Sequence, residues 1–188
     1  MKNLIMIIVI ILAVESVNAQ RKNKLAQDTI VWSKETLLVK ENFQAKRSVG
    51  KAAATTSTAL IFHTQLSGGS LMFFVEAIFS KSKSYMKDDS PYILKHEQNH
   101  FDISEIYARK FRQMLIEKDF RKVKNVSETI QKMASKIVNE WQKEEVYYDN
   151  DTEHGTNPAK QKLWNEEIEK RLAESVLFST AGIDVANK

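Results

Sequence analysis

The strongest constraint on the fold is the run of residues 91–117, which contains neither glycine nor proline after its first residue. The preceding Asp-Asp-Ser-Pro is typical of a helix start, with Ser90 as N-cap and Pro91 as the first helical residue. Apolar side chains then recur at helical spacing to about residue 117. The sequence therefore predicts one long helix over this run.

The predicted helix carries the motif His-Glu-x-x-His, formed by His96, Glu97 and His100. Residues four apart lie one turn above each other on the same helix face, so the two imidazoles can bind one metal ion. Glu97 is turned by about 100° from His96 around the axis, which lets it take a proton from a metal-bound water. A chance match is the alternative, but the position inside a capped helix argues against it. We interpret the motif as a zinc site.

A catalytic zinc usually has three protein ligands and one open position. Glu105 lies nine residues after His96, about 13 Å along the axis and half a turn round, so it cannot bind the same ion. The third ligand must therefore come from another segment. The candidates are His154, in a polar loop before Gly155, an acidic residue from elsewhere, and the strand residue His63. Ligand chemistry favours His154 and leaves the other two open.

The N-terminus has the pattern of a secretory signal peptide. Lys2 precedes an apolar run from Leu4 to Val14, which is too short for a comfortable bilayer span. Small or modest residues lead to Ala19, so we expect cleavage there, with an uncleaved anchor as the alternative. No cysteine at the cleavage site supports a lipid anchor. We therefore expect residues 1–19 to be a signal peptide and the protein to be periplasmic or extracellular.

Residues 20–188 have the length of one ordinary domain. The chain contains no cysteine, which excludes disulfides, thiolate zinc ligands and a cysteine nucleophile. An exported chain without cysteine is typical of a bacterial envelope or secreted protein. The net charge is +4, and basic and acidic residues alternate along the predicted helices, which indicates a solvated surface and no nucleic-acid partner. We interpret the basic cluster Arg21–Lys24 as a disordered tail.

The segments around the motif predict an α+β fold, a small antiparallel sheet followed by three helices. The strand-like segments are Thr29–Trp32, Thr36–Val39 and a hairpin of Thr58–Leu66 and Leu71–Phe79 closed by Ser67-Gly68-Gly69-Ser70. The motif helix comes first, Asn125 begins the second helix, and Asn157-Pro158 begins the last after a loop at about 148–157. The predicted buried face of the last helix is Leu163, Trp164, Ile168, Leu172 and Val176.

Two blocks of the sequence resemble a known family. The first is Leu94-Lys95-His96-Glu97-Gln98-Asn99-His100-Phe101-Asp102-Ile103-Ser104-Glu105-Ile106-Tyr107-Ala108-Arg109. The second is Tyr148-Asp149, Thr152, His154-Gly155, Gln161 and Trp164. Both resemble a bacterial family of exported, predicted zinc-dependent proteases, catalogued as domain of unknown function number nine hundred and twenty-two.

The resemblance implies a zincin-like domain and strengthens His154 as the third zinc ligand. It also matches Glu105 and Arg109, which we interpret as an ion pair between residues four apart on a helix. In an alternative interpretation, Asp102 or Glu105 orients a metal ligand. The family label is itself a prediction, so it implies a class and no particular substrate.

Taken together, the sequence predicts a secreted zinc-dependent peptidase acting on peptide or protein substrates. Its zinc would be bound by His96, His100 and His154, with Glu97 as general base. Tyr147 or Tyr148 would donate to the oxyanion or, in the favoured interpretation, pack in the core. A strand of the hairpin would align an extended peptide. The alternatives are a non-enzymatic exported zinc-binding or envelope-interaction protein, and a zinc hydrolase of a cell-wall amide.

Overall fold

The computed structural model describes residues 10–11, 27–46, 53–67, 70–87 and 89–184. Most of the predicted signal peptide, the basic cluster Arg21–Lys24 and the centre of the hairpin turn lie outside the described residues, so these stay predictions. Within the described residues, no helix is both long enough and apolar enough to cross a membrane.

The main sheet has five described strands, and a separate pair of short strands lies beside it. The strands are β1 (Ile10–Ile11), β2 (Thr29–Val31), β3 (Ala54–Thr55), β4 (Thr58–Ser67), β5 (Ser70–Ser80), β6 (Tyr85–Met86) and β7 (Gly182–Asp184). The order in the main sheet is β1-β4-β5-β2, β7 also pairs with β5, and β3 pairs with β6. All described pairs are antiparallel except β1 with β4. The predicted α+β class and the small antiparallel sheet are confirmed.

The predicted hairpin is confirmed as β4 and β5, with His63 opposite Phe74. Alternate residues of β5 point into the core, and they are Phe73, Val75, Ala77 and Phe79. On the other face, the ring of His63 stacks on that of Phe74, with centroids 4.8 Å apart. This contact gives His63 a packing role in the sheet.

The prediction of a strand at Thr36–Val39 is wrong. These residues form no strand, although Leu38 is buried as its apolar character requires. The backbone amide of Leu38 donates to Oε1 of Gln98 at 2.8 Å, so a side chain supplies the partner that a neighbouring strand would otherwise supply.

The three predicted helices are present and begin at the predicted caps. They are α1 (Pro91–Glu117), α2 (Val126–Asp151) and α3 (Pro158–Glu174). Side-chain oxygens of Ser90, Asn125 and Asn157 accept from the amides of Ile93, Glu128 and Lys160 at 3.3, 3.0 and 3.2 Å. Single 3-10 turns occur at Lys40–Asn42, Lys81–Lys83, Phe120–Lys122 and Val176–Phe178.

Two predictions about the later helices are corrected. The loop predicted at about 148–157 is shorter, because α2 continues to Asp151. Its last turns look polar in sequence, but Tyr148 is fully buried there and holds them in the helix. In α3, Trp164, Ile168 and Leu172 pack inward, whereas Leu163 is 59% exposed. Val176, predicted on the same face, lies beyond the end of α3 and is also 59% exposed. Another inward position, one turn before Trp164, belongs to the buried Gln161.

Helix α1 lies at the centre of the molecule, between the sheet and the other two helices. Its side chains from His96 to Arg109 are all buried. The apolar ones complete the core beneath β4 and β5, and the fully buried examples are Phe101, Ile103 and Ala108. Of the polar ones, His96 and His100 face α2 and α3 and belong to the site described next, whereas Gln98 accepts from Leu38 and Ser104 donates to Thr58 of β4.

Candidate metal centre

Two helices each contribute a pair of residues four apart to one buried site. Helix α1 supplies His96 and His100, and α2 supplies Glu145 and Asp149. The Nε2 atoms of His96 and His100 lie 3.3 and 3.2 Å from the same atom, Oδ1 of Asp149. This spacing puts each pair on one face of its helix, and the crossing of the helices brings the faces together.

The other ring nitrogen of each histidine faces an acceptor. Nδ1 of His96 lies 2.9 Å from Oε1 of Gln161, the first inward residue of α3. Nδ1 of His100 lies against the carboxylate of Glu145, whose second oxygen accepts from Nε1 of Trp141 at 2.7 Å. In the neutral form, each imidazole therefore keeps its proton on Nδ1 and directs the lone pair of Nε2 at Asp149.

A neutral imidazole lone pair aimed at a carboxylate oxygen is unfavourable unless a cation lies between them. Here two such lone pairs meet one carboxylate oxygen, and both histidines are more than nine-tenths buried. Protons on the imidazoles can supply the positive charge, and so can one metal ion shared by all three groups.

The electrostatics of the site follow from this crowding of carboxylates. Burial lowers the pKa of His100, but the charges of Glu145 and Asp149 outweigh it and raise that pKa well above its ordinary value. Burial likewise raises the pKa of Asp149, but His100 and His96 outweigh it and hold that pKa below its ordinary value. Asp149 is therefore a carboxylate held in place by positive charge.

The distances also suit a metal ion. Two ligand atoms bound to a tetrahedral zinc at about 2.0–2.1 Å lie about 3.4 Å apart, close to the 3.2 and 3.3 Å found here. One ligand atom each from His96, His100 and Asp149 all lie within 4.8 Å of one another. These residues could therefore hold a metal ion.

Glu97, the remaining motif residue, is buried next to this group at 4% exposure. Its Oε2 atom is buried and has no hydrogen-bond partner among the described residues. An unpartnered buried carboxylate oxygen is costly, and a proton-donating group beside Oε2 would remove that cost.

Tyr148 packs in this site and is fully buried. Its ring stacks on His96 with centroids 4.8 Å apart, and its hydroxyl donates to the carbonyl of His96 at 3.2 Å. Burial raises the pKa of this hydroxyl, and the charges of Glu97 and Asp149 raise it further, despite a hydrogen bond from Gln161. The packing role favoured from sequence therefore fits Tyr148, while Tyr147 is 60% exposed.

His154, the third ligand predicted from sequence, lies at the solvent side of the site. Its side chain is 55% exposed, and its Nδ1 lies 3.5 Å from Oδ2 of Asp149, the oxygen that the other histidines do not share. Among the described residues, the group that can hold a metal consists of His96, His100 and Asp149. Metal binding by His154 stays a prediction.

The turn that carries His154 also closes on the motif helix. Gly155 has φ +77°, and a Cβ atom there would lie 2.8 Å from Cγ of His96. Only glycine permits both this backbone conformation and this approach, so Gly155 fixes one side of the His96 ring.

The helix ion pair predicted between Glu105 and Arg109 is present, with Nε 2.9 Å from Oε1. Asp102 accepts from Trp32 and Gln98, both at 2.9 Å. The described contacts of Glu105 and Asp102 do not include either motif histidine, so neither residue orients the site directly.

Sequence reasoning left an acidic third ligand open, and Asp149 is the acidic residue that the fold brings to the two histidines. It named Asp149 and Gln161 only as part of the block that resembles the family, and it gave no role in the site to either of them or to Glu145. A signal was present, because each occupies a position where the helical pattern calls for an inward side chain. Glu145 and Asp149 also share the spacing of the motif histidines. Charged residues at helical spacing are more often exposed, which concealed the pattern.

Fold and site together define an α+β protein whose first two long helices enclose a His-His-Asp group able to hold a metal ion. Residues 81–155 match a family model described as "Bacterial protein of unknown function (DUF922)", which supports the resemblance seen in the sequence. The match includes the whole motif helix, α2 and the turn up to Gly155. No curated protein and no solved structure matches this chain.

Proposed function

We propose that this protein is an exported zinc-dependent peptidase. One observation carries the proposal: a buried His-His-Asp group lies beside a glutamate whose buried Oε2 atom has no partner among the described residues. A carboxylate beside the metal can accept the proton of a bound water, whereas a site that only braces the fold does not need this proton acceptor.

In this proposal, His96, His100 and Asp149 hold the zinc through two Nε2 atoms and one carboxylate oxygen. Imidazole and carboxylate are ligands that zinc commonly has in catalytic sites. When bound, zinc acidifies a water molecule and polarises a carbonyl group. His154 is the alternative third ligand from the sequence.

The remaining steps belong to the chain's own residues. Oε2 of Glu97 accepts the proton of the attacking water and later delivers it to the leaving amine. Gln161 and Glu145 keep the histidine protons on Nδ1, so that both Nε2 atoms stay available. The side chain of His154 is 55% exposed, so in this proposal the substrate approaches the metal from the side where His154 lies.

The test compares the full chain with its Glu97→Gln variant. We expect the parent to bind one zinc and cleave members of an unbiased peptide library, and the variant to keep its zinc while hydrolysis falls by at least about 10²–10⁴-fold. Glu117→Gln is the matched control, because it makes the same change at an exposed position of the same helix. It should alter neither property.

Three results would contradict the proposal. They are a parent that binds no zinc, a Glu97→Gln variant as active as the parent, and a parent that binds zinc but cleaves no peptide. In the last case, assays on purified wall fragments would separate hydrolysis of a cell-wall amide from a purely structural metal.

A further inference from the structure

We infer that His154 is a positioning residue, which holds Asp149 in the orientation that presents one carboxylate oxygen to the motif histidines. The inference rests on the metal binding in the proposed function and does not depend on peptide hydrolysis. It gives His154 a role different from that of a third ligand.

The backbone around His154 is the first observation. Glu153 and His154 have φ of 53° and 55°, and they are the non-glycine residues with positive φ in the described part of the chain. Residues other than glycine avoid this left-handed region because their Cβ atom crowds the following carbonyl oxygen. Strain of this kind persists only where the surrounding structure imposes it, and it concentrates at functional sites.

Hydrogen bonds from a buried threonine and from the end of α2 impose this conformation. The amide of His154 donates to the carbonyl of Asp149 at 2.7 Å, and the amide of Asn157 donates to that of Thr152 at 2.9 Å. Oγ1 of Thr152 donates to the carbonyl of Tyr148 and accepts from the amide of Gly155. The turn is therefore built to hold residue 154 at one place above Asp149.

The imidazole of His154 meets the carboxylate on the side away from the motif histidines. Oδ1 of Asp149 lies within 3.3 Å of both Nε2 atoms, whereas Oδ2 lies 3.5 Å from Nδ1 of His154. Asp149 thus stands between His154 and the histidines of α1. In the inferred role, an N–H group at Nδ1 of His154 attracts Oδ2 and so keeps Oδ1 directed at the motif histidines.

The test uses two substitutions that both accept the left-handed backbone. In His154→Asn, the amide Nδ2 replaces the donor at Nδ1, whereas His154→Gly has no donor. Zinc affinity is measured by competition with a chelator, and the visible spectrum of bound Co²⁺ reports the ligand set. We expect His154→Gly to bind zinc about 10–100-fold more weakly than the parent and His154→Asn to restore most of the loss. The Co²⁺ spectrum of His154→Asn should match that of the parent.

The control is Glu153→Gly, which relieves the same kind of backbone strain at the preceding residue. The exposed side chain of Glu153 accepts from Asn157 at 3.0 Å and does not belong to the metal-holding group. This variant should bind zinc as the parent does. An equal effect in Glu153→Gly and His154→Gly would show that the backbone alone matters and would overturn the inference.

Other results overturn it differently. Equal loss of zinc in the Asn and Gly variants of His154, with a changed Co²⁺ spectrum, would make His154 a ligand. Unchanged affinity in both would remove any role in positioning. A parent that binds no metal would refute the proposed metal site as well, whereas a parent that binds zinc without cleaving peptides would refute the peptidase proposal alone.

Discussion

At the residue scale, the two motif histidines differ in what holds them. Nδ1 of His96 faces the neutral amide of Gln161, whereas Nδ1 of His100 faces the carboxylate of Glu145. A carboxylate behind an imidazole fixes the ring and makes its other nitrogen a stronger ligand. His100 is therefore expected to contribute more to metal affinity than its partner in the motif.

Replacing Glu145 by glutamine should show how much this carboxylate contributes to metal binding. The amide keeps the size of the side chain but removes its negative charge, so we expect metal affinity to fall by about 10–100-fold. Chelator competition on the purified variant measures the change.

The control is Glu140→Gln on the same helix. Glu140 pairs with Lys110 at the surface and does not belong to the metal-holding group. Its metal affinity should equal that of the parent. A Glu145→Gln variant that binds as tightly as this control would show that the carboxylate is dispensable.

At the element scale, α1 is anchored by a cluster of buried charges about one to three turns after the motif. Glu105 accepts from Arg109 and Arg112, each at 2.9 Å. Arg109 also donates to the carbonyl of Leu172 at the end of α3, and Arg112 donates to the carbonyls of Val75 and Phe178. The cluster thus ties α1 to α3, to β5 and to the segment after α3.

Removing the charge at Glu105 should destabilise the fold. The Glu105→Gln variant would leave two buried guanidinium groups without a counter-ion, which costs about 3–5 kcal/mol. Urea unfolding with a metal chelator present measures the loss without any contribution from the metal.

The exposed Glu117→Gln change again provides the comparison, with an expected effect within about 0.5 kcal/mol. If Glu105→Gln cost no more than that, the cluster would not be an anchor of α1.

The elements also show how much the sequence could predict. Local signals gave the helix starts, because Ser90, Asn125 and Asn157 cap their own chain neighbours. The His-Glu-x-x-His motif is also a local signal, so it identified the two histidines and Glu97. Asp149 could not be singled out as the acidic ligand, because its role depends on how α1 and α2 cross, and no local pattern encodes a crossing. The strand prediction for Thr36–Val39 was wrong for a different reason. The segment does alternate between buried and exposed residues, but the backbone amide of Leu38 donates to the side chain of Gln98 and not to a neighbouring strand.

At the scale of the whole molecule, the segment after α3 returns to the sheet. Strand β7 pairs with the start of β5, where Ile183 lies opposite Phe73 and is buried. The amide of Val75 donates to the carbonyl of Ala181 at 3.1 Å. Together with β2 at the other end of β5, β7 covers the edge of β5. A covered edge cannot pair with a strand of another chain.

Truncating Ile183 should therefore cost much more than truncating an exposed neighbour. We expect Ile183→Ala to lower the free energy of unfolding by about 2–3 kcal/mol through lost burial and the cavity left behind. Thermal or urea unfolding measures the change.

Leu177→Ala serves as the control, because Leu177 is 86% exposed in the same segment. Its effect should stay within about 0.5 kcal/mol. Equal losses in the two variants would mean that the burial of Ile183 in β7 does not stabilise the sheet.

The pairing of β7 with β5 has a kinetic consequence. Phe73 and Ile183 are separated by about 110 residues of chain, so this contact closes a long loop and slows folding. The crossing of α1 and α2 joins residues about half that distance apart or closer. Ion capture by the helical pair can therefore precede completion of the sheet, and a bound ion would act as a nucleus around which the rest of the chain assembles.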